Sequence, residues 1–255
     1  MTDTNHQNYT ALNAETIDHW VEDGWEWGAP ITHENFVAAQ KGNREMVLTP
    51  IKPVPKSWFL PDFHHKKVLG LAAGGGQQMP IFAALGADCT ILDYSTRQLA
   101  SEKLVAQREG YTIKTIRADM TQPLPFADES FDFIINPVSN CYIESVLPVW
   151  QECYRVLKAG GHFIAGLDNG LNFIVSDDEQ RIVNHLPYNP LTQPEIMAKL
   201  DTQENGIQFS HTLEEQIRGQ LQAGFQLVDL YEDTNGEGYL HELNIPSFWA
   251  THVIK

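Results

Sequence analysis

Three consecutive glycines, Gly74, Gly75 and Gly76, stand just beyond the apolar run of Val68, Leu69 and Leu71. Glycine carries no Cβ, so this stretch can turn sharply and let a ligand approach the backbone. Behind it, QQMPIFAALG (77–86) reads as a helix, with Pro80 suited to the first turn and Gly86 to the end. A strand, a glycine turn and a helix N-terminus present free N–H groups and a positive dipole end, which suits the polar part of a nucleotide-like cofactor. A merely tight connection would also explain the glycines. Nineteen residues beyond Gly74, Asp93 closes the second apolar run, ADCTILD. An acid there can accept both hydroxyls of a ribose laid across the strand ends. A turn or capping role is the alternative for Asp93, although Ser95 and Gln98 already form a capping box for the helix that follows. A dinucleotide is disfavoured, because Met79 stands where the third small residue of G-x-G-x-x-G/A would fall.

The elements that must position these groups follow in order. Leu99, Leu104 and Val105 recur at helical spacing up to Gly110. YTIKTIRAD is a third strand, after which Asp119 can take the amine of an adenine flanked by Ala118 and Met120; a turn aspartate is the alternative. SFDFIINP is a fourth strand, bringing Asn136, Pro137, Ser139, Asn140 and Tyr142 to the edge where ligands of open α/β sheets lie. Pro148 opens a helix ended by Gly160 and Gly161, and HFIAGLD (162–168) is the fifth strand. His162 begins that strand and so lies away from the cofactor, whereas Asp168 and Asn169 end it on the correct side. HTLEEQIRGQLQAGF reads as a helix, QLVDLYED and SFWATHVIK as the last two strands, and Asn235-Gly236 as a tight turn. Residues 1–60 form a cap segment rich in aromatics, with Trp20, Trp25 and Trp27 close together and prolines 50, 53, 55 and 61 beyond a helical THENFVAAQKG. Within the domain 61–255, residues 169–210 are a candidate lid or substrate-binding insertion, in which His185 and Tyr188 are the polar groups of interest.

Residues 68–76, VLGLAAGGG, resemble motif I of the class I S-adenosylmethionine-dependent methyltransferases, V-L-D-L-G-C-G-x-G, with Gly70, Ala72 and Ala73 in place of its Asp, first Gly and Cys. LDYS (92–95), RADM (117–120), LPFADESFDFII (124–135) and RVLKAGG (155–161) match the later motifs in order, so the resemblance spans about residues 66–168. It is to the broad group that includes the ubiquinone/menaquinone-biosynthesis methyltransferases. It implies S-adenosylmethionine as cofactor, held by Ala72, Ala73, Gly74, Gly76, Gln77, Asp93, Tyr94, Ser95, Asp119, Met120, Asn136 and Pro137. Trp25, Trp27, Tyr142 and Tyr188 are the expected substrate-binding residues. The acid usual at position 70 orders the glycine loop; its absence implies either a lower affinity for the cofactor or another acid in its place. The expected reaction is methyl transfer to a small molecule. The sulfonium already makes the methyl group electrophilic, so alignment and exclusion of water are the main tasks of the chain. Tyr142 or His185 could deprotonate an acceptor if a base is needed. A protein that binds the cofactor without transferring its methyl group is the alternative raised by Gly70, Ala72 and Ala73.

The whole chain sets the outer bounds. With 255 residues and 42% hydrophobic content it has room for one large domain with a cap. The fold expected is α/β: a Rossmann-like, seven-stranded, mostly parallel sheet with helices on both faces and the last strand antiparallel. A net charge of −16, with 14 acids and 4 bases over residues 168–255, disfavours nucleic acid as a partner. No stretch is long and apolar enough to suggest a membrane span, and the polar N-terminus is not a secretory signal. Cys89, Cys141 and Cys153 make neither a metal-type pair nor a disulfide framework, so no metal is expected and a cytoplasmic setting fits.

Overall fold

The computed structural model describes residues 2–255. Its strands are β1 (Lys67–Leu71), β2 (Asp88–Asp93), β3 (Ile113–Arg117), β4 (Phe131–Asn136), β5 (Leu157–Asp168), β6 (Gln226–Asp233) and β7 (Phe248–Ile254). They form one sheet in the order β3-β2-β1-β4-β5-β7-β6. The first five strands are parallel, and β7 is antiparallel to both β5 and β6. This is the architecture the sequence predicts.

Alternation along the strands supplies a core on each face, as the two-residue period of a strand requires. Val68, Phe133, Ile135 and Ile164 point to one side, against Phe59, Phe63, Met79 and Phe82. Leu69, Leu71, Ile134, Phe163 and Ala165 point to the other, against Trp150, Cys153 and Phe225. Numbering helices along the chain, α1 (Thr2–Glu22) precedes α2 (His33–Gln40), α3 (Gln78–Ala84) and α4 (Thr96–Glu109), the last three contributing to the first core. α5 (Leu147–Val156) covers the second. Ser95 caps α4 by accepting the Gln98 N–H at 3.0 Å, and Gly110 ends the helix in the left-handed conformation at φ 76°.

Residues 169–210 hold two short helices, α6 (Pro194–Met197) and α7 (Thr202–Asn205). A π-helical turn, Glu214–Arg218, then runs into α8 (Gly219–Ala223). Three features depart from the sequence expectation. α1 is a 21-residue helix where none is expected. β5 begins at Leu157, five residues early, because Leu157 already pairs with Phe131 and a register shift then absorbs the glycines. The tight turn expected at Asn235-Gly236 is instead the start of a longer connection containing α9 (Gly238–Glu242).

Candidate functional site

A cavity of about 340 Å³ lies at the carboxyl ends of β1, β2, β4 and β5, where the strand order reverses between β1 and β4. That is where an open α/β sheet receives its ligand, and the volume is within the range of small-molecule sites. Ala72 and Gly74 lie at its floor, with Asp93, Tyr94 and Ser95 at the end of β2, Asp119 and Met120 after β3, and Pro137, Val138, Ser139, Cys141, Tyr142 and Ile143 after β4. Among the described residues, no lysine, arginine or histidine lines the cavity, and its acids are Asp93, Asp119 and Asp168.

The glycine loop is tied down by carboxyl groups of the chain. Asp93 accepts the Gly74 N–H on Oδ2 at 3.0 Å and the Ser95 N–H on Oδ1 at 2.9 Å. Glu102, inside α4, accepts the Gly76 N–H at 2.8 Å. Burial pushes the Asp93 carboxyl up to about 6, against the lowering effect of those N–H bonds. At the end of β5, Asp168 accepts the Gly170 N–H at 2.6 Å and the Asn172 amide at 3.1 Å, and burial again holds its carboxyl at about 6.

α1 forms the roof. Ala14 and Ile17 face the cavity, and the buried Asn13, also on its wall, fixes the helix. Its amide donates to the carbonyls of Tyr142 (3.0 Å) and Ile207 (2.8 Å), and its oxygen accepts the Ile207 N–H at 2.6 Å. Further along, Asp18 accepts hydrogen bonds from the Ser95 and Thr96 hydroxyls (both 2.5 Å) and from the Arg97 N–H (2.9 Å), so it sits on the N-terminus of α4. Trp25 and Trp27 continue the wall, and residues 26–31 lie against the loop: Gln77 donates to the Glu26 and Ala29 carbonyls, and the Ile31 N–H donates to the Gly76 carbonyl at 2.9 Å.

The structure brings together Trp25, Trp27, Ala72, Gly74, Gln77, Asp93, Tyr94, Ser95, Asp119, Met120, Pro137 and Tyr142 on this one cavity. It sets five other predicted residues elsewhere. Ala73 packs into the core beneath the loop. Gly76 is enclosed between Val105 and Pro30. Asn136 directs its amide to the Leu71 carbonyl (2.6 Å) and the Ser139 hydroxyl (2.7 Å), bracing β4 against β1. Tyr188 stacks behind the wall on Phe173 at 5.3 Å. His185 is exposed on a separate, smaller cavity that it shares with His211 and Glu215. As for the other candidate base, burial raises the Tyr142 hydroxyl well above its ordinary value. Sequence reasoning missed Asn13, Ala14 and Ile17, Leu48 and Thr49, Gln98, Asn172 and Phe173 as wall residues.

The residues present fit an adenosyl cofactor carrying a positive charge. Acids and no bases line the cavity, and Gln98, on its wall, has a buried amide oxygen without a partner. A glycine loop at the switch point, an acid at the end of β2 and another after β3, all on one cavity, define a nucleoside-cofactor-binding α/β enzyme. Comparison with known proteins narrows the class. The family described as "Methyltransferase domain" matches residues 69–165. An uncharacterized methyltransferase of Bacillus subtilis (strain 168), YbaJ, is 41% identical over 252 residues, which cover 96% of this chain and 98% of that protein. Among solved structures, an S-adenosylmethionine-dependent methyltransferase from Mesorhizobium loti matches with a TM-score of 0.60 at 18% identity, over 77% of this chain and 94% of that one. Geranyl diphosphate C-methyltransferase from Streptomyces coelicolor A3(2) shares the fold at 13% identity and a TM-score of 0.55, over 76% of this chain and 74% of that one. The chain belongs to the class I S-adenosylmethionine-dependent methyltransferases, and S-adenosylmethionine is its cofactor.

Proposed function

We propose that this methyltransferase acts on a small molecule, uncharged or cationic, held beneath α1. One observation carries the reading: a roofed cavity of about 340 Å³ with three aspartates and no basic side chain among the described lining residues. An acceptor bearing phosphate or carboxylate would be buried there without a counter-charge, which is strongly unfavourable. Residues 1–60 act as a cap and 169–210 as a lid over the domain 61–255; the Asn13 bonds to Ile207, which join the two segments, support this.

Within the cavity, Asp93 receives the ribose hydroxyls and Asp119 the adenine amine, with Met120 and Ala118 against the ring. Ala72, Gly74, Gln77, Tyr94, Ser95 and Pro137 complete the cofactor wall, and Trp25, Trp27 and Tyr142 bound the acceptor. The cofactor supplies a methyl group already activated by its sulfonium. The chain contributes alignment and dryness, and Tyr142, with its hydroxyl held protonated, orients an acceptor by donating a hydrogen bond. Incubating the protein with methyl-labelled S-adenosylmethionine and a cell extract, then separating small molecules from protein and RNA, tests the reading. Label in the small-molecule fraction, on species not retained by anion exchange, is the expected result. Label confined to protein or RNA overturns it.

A further inference from the structure

An acid in motif I stands at the position of Gly70, and this chain has no room for one. A Cβ on Gly70 would lie 2.7 Å from the Met79 sulfur and 2.8 Å from the Ile91 Cδ1, and Met79 is fully buried. Something else must hold the loop. Gly76 adopts φ +72°, a left-handed conformation. Its N–H donates to Glu102 at 2.8 Å, while its carbonyl accepts the Ile31 N–H at 2.9 Å. Glu102 is completely buried, and its second carboxyl oxygen has no hydrogen-bond partner. A carboxyl so placed is expensive to keep in a helix that needs no polar group there. Its one visible task is the orientation of the Gly76 peptide.

We propose that Glu102 is a positioning residue for S-adenosylmethionine, setting the glycine loop from α4 in place of the acid missing from β1. By holding Gly76 it also steadies the next carbonyl along the chain, on which residues 28–31 dock, and so the placement of Trp27 beside the cavity. Glu102 itself touches no cavity surface; it acts through Gly74–Gly76.

The test uses the full chain with Glu102→Ala, Glu102→Asp and Glu102→Gln, and reads the dissociation constants of S-adenosylmethionine and S-adenosylhomocysteine by calorimetry. Near-UV circular dichroism confirms that each variant is folded. Burial pushes the Glu102 carboxyl up to about 8, so glutamine is close to its form at neutral pH and keeps an oxygen for the Gly76 N–H. Aspartate keeps the carboxyl but withdraws it by one methylene. The expected result is a more than fivefold loss of affinity in the alanine and aspartate variants, with the glutamine variant less than fivefold from wild type. Affinity within fivefold of wild type in the alanine and aspartate variants overturns the proposal, as does a glutamine variant as weak as the alanine one. If the alanine variant does not fold, the aspartate and glutamine variants decide by the same threshold.

Discussion

Asp93 uses each of its two oxygens to hold a backbone N–H, and burial keeps its carboxyl at about 6. A cationic cofactor beside it favours the ionised form, so binding and loss of that proton are linked. S-adenosylmethionine affinity should therefore be steady above pH 7 and weaken as the pH falls through 6 towards 5. Asp93→Asn should bind about tenfold more weakly and show a shallower profile, the remaining slope belonging to Asp168, since hydrogen bonds to charged groups contribute roughly 1.5–3 kcal/mol. Calorimetry across that pH range checks both; a variant profile as steep as that of wild type would remove Asp93 from the assignment. Asp93 and Asp119 were legible because one ends a strand and the other follows one by two residues, where an acid is conspicuous. Glu102 was not: in SEKLVAQREG it reads as one more surface charge, and only the three-dimensional approach of α4 to the loop encloses it.

Among the elements, α1 escaped sequence reasoning because its inward face is polar. Asn13 and Thr16 are buried with Ala14, and they satisfy their groups by hydrogen bonds to Ile207, Tyr142 and Thr202. An apolar stripe is therefore missing from a helix that nonetheless packs firmly. Asn13→Ala leaves the Ile207 N–H and two carbonyls unpaired, which costs about 1–3 kcal/mol. A fall in melting temperature of roughly 2–4 °C per kcal/mol is expected by calorimetric scanning, together with weaker cofactor binding. At the opposite end of the sheet, His162 on β5 and His252 on β7 meet at 2.9 Å, and burial lowers both, His252 to about 4. The unfolded chain takes up these protons near pH 6.5, whereas the folded chain takes up the one on His252 only at about 4 and the one on His162 below its ordinary value. The stability the pair supplies is thus complete above 6.5 and is lost as the pH falls towards 4. Asp93 and Asp168, with raised carboxyls, act in the other direction between about 4 and 6. His252→Gln should accordingly lose less melting temperature than wild type between pH 7 and 5, which isolates the histidine contribution. The other strands, and the helices α2 to α5, were legible from their periods and caps, whereas the short α6, α7 and α9 were not. The start of β5 was not, because strand pairing overrode the glycines that read as a helix end.

At the scale of the molecule, charge and cavity agree. A chain of net charge −16 surrounds a site walled by acids, and among the described residues no helix is long and apolar enough to cross a membrane. The field disfavours anions both in approach and in place. Adenosine monophosphate and NADH should therefore fail to displace S-adenosylmethionine in competition calorimetry even in large excess, while adenosine competes. Displacement by either anion would mean that a basic group reaches the site. The acceptor itself was not legible, since much of the cavity wall comes from Leu48 and Thr49, from Asn172 and Phe173 and from α1, outside the five stretches that carry the family motifs.

The carboxyl groups that hold Gly74 and Gly76 also affect how the loop behaves in time. An amide trades its hydrogen with solvent only when its bond opens and water arrives, and here both bonds end on buried acids beneath a roof. In deuterated buffer these two loop amides should keep their protons as long as those of the strands beside them, and longer than those of the tip at Gly110. A segment without regular secondary structure would then report on the global opening of the domain. Its exchange rate would measure how often the whole nucleoside pocket comes apart.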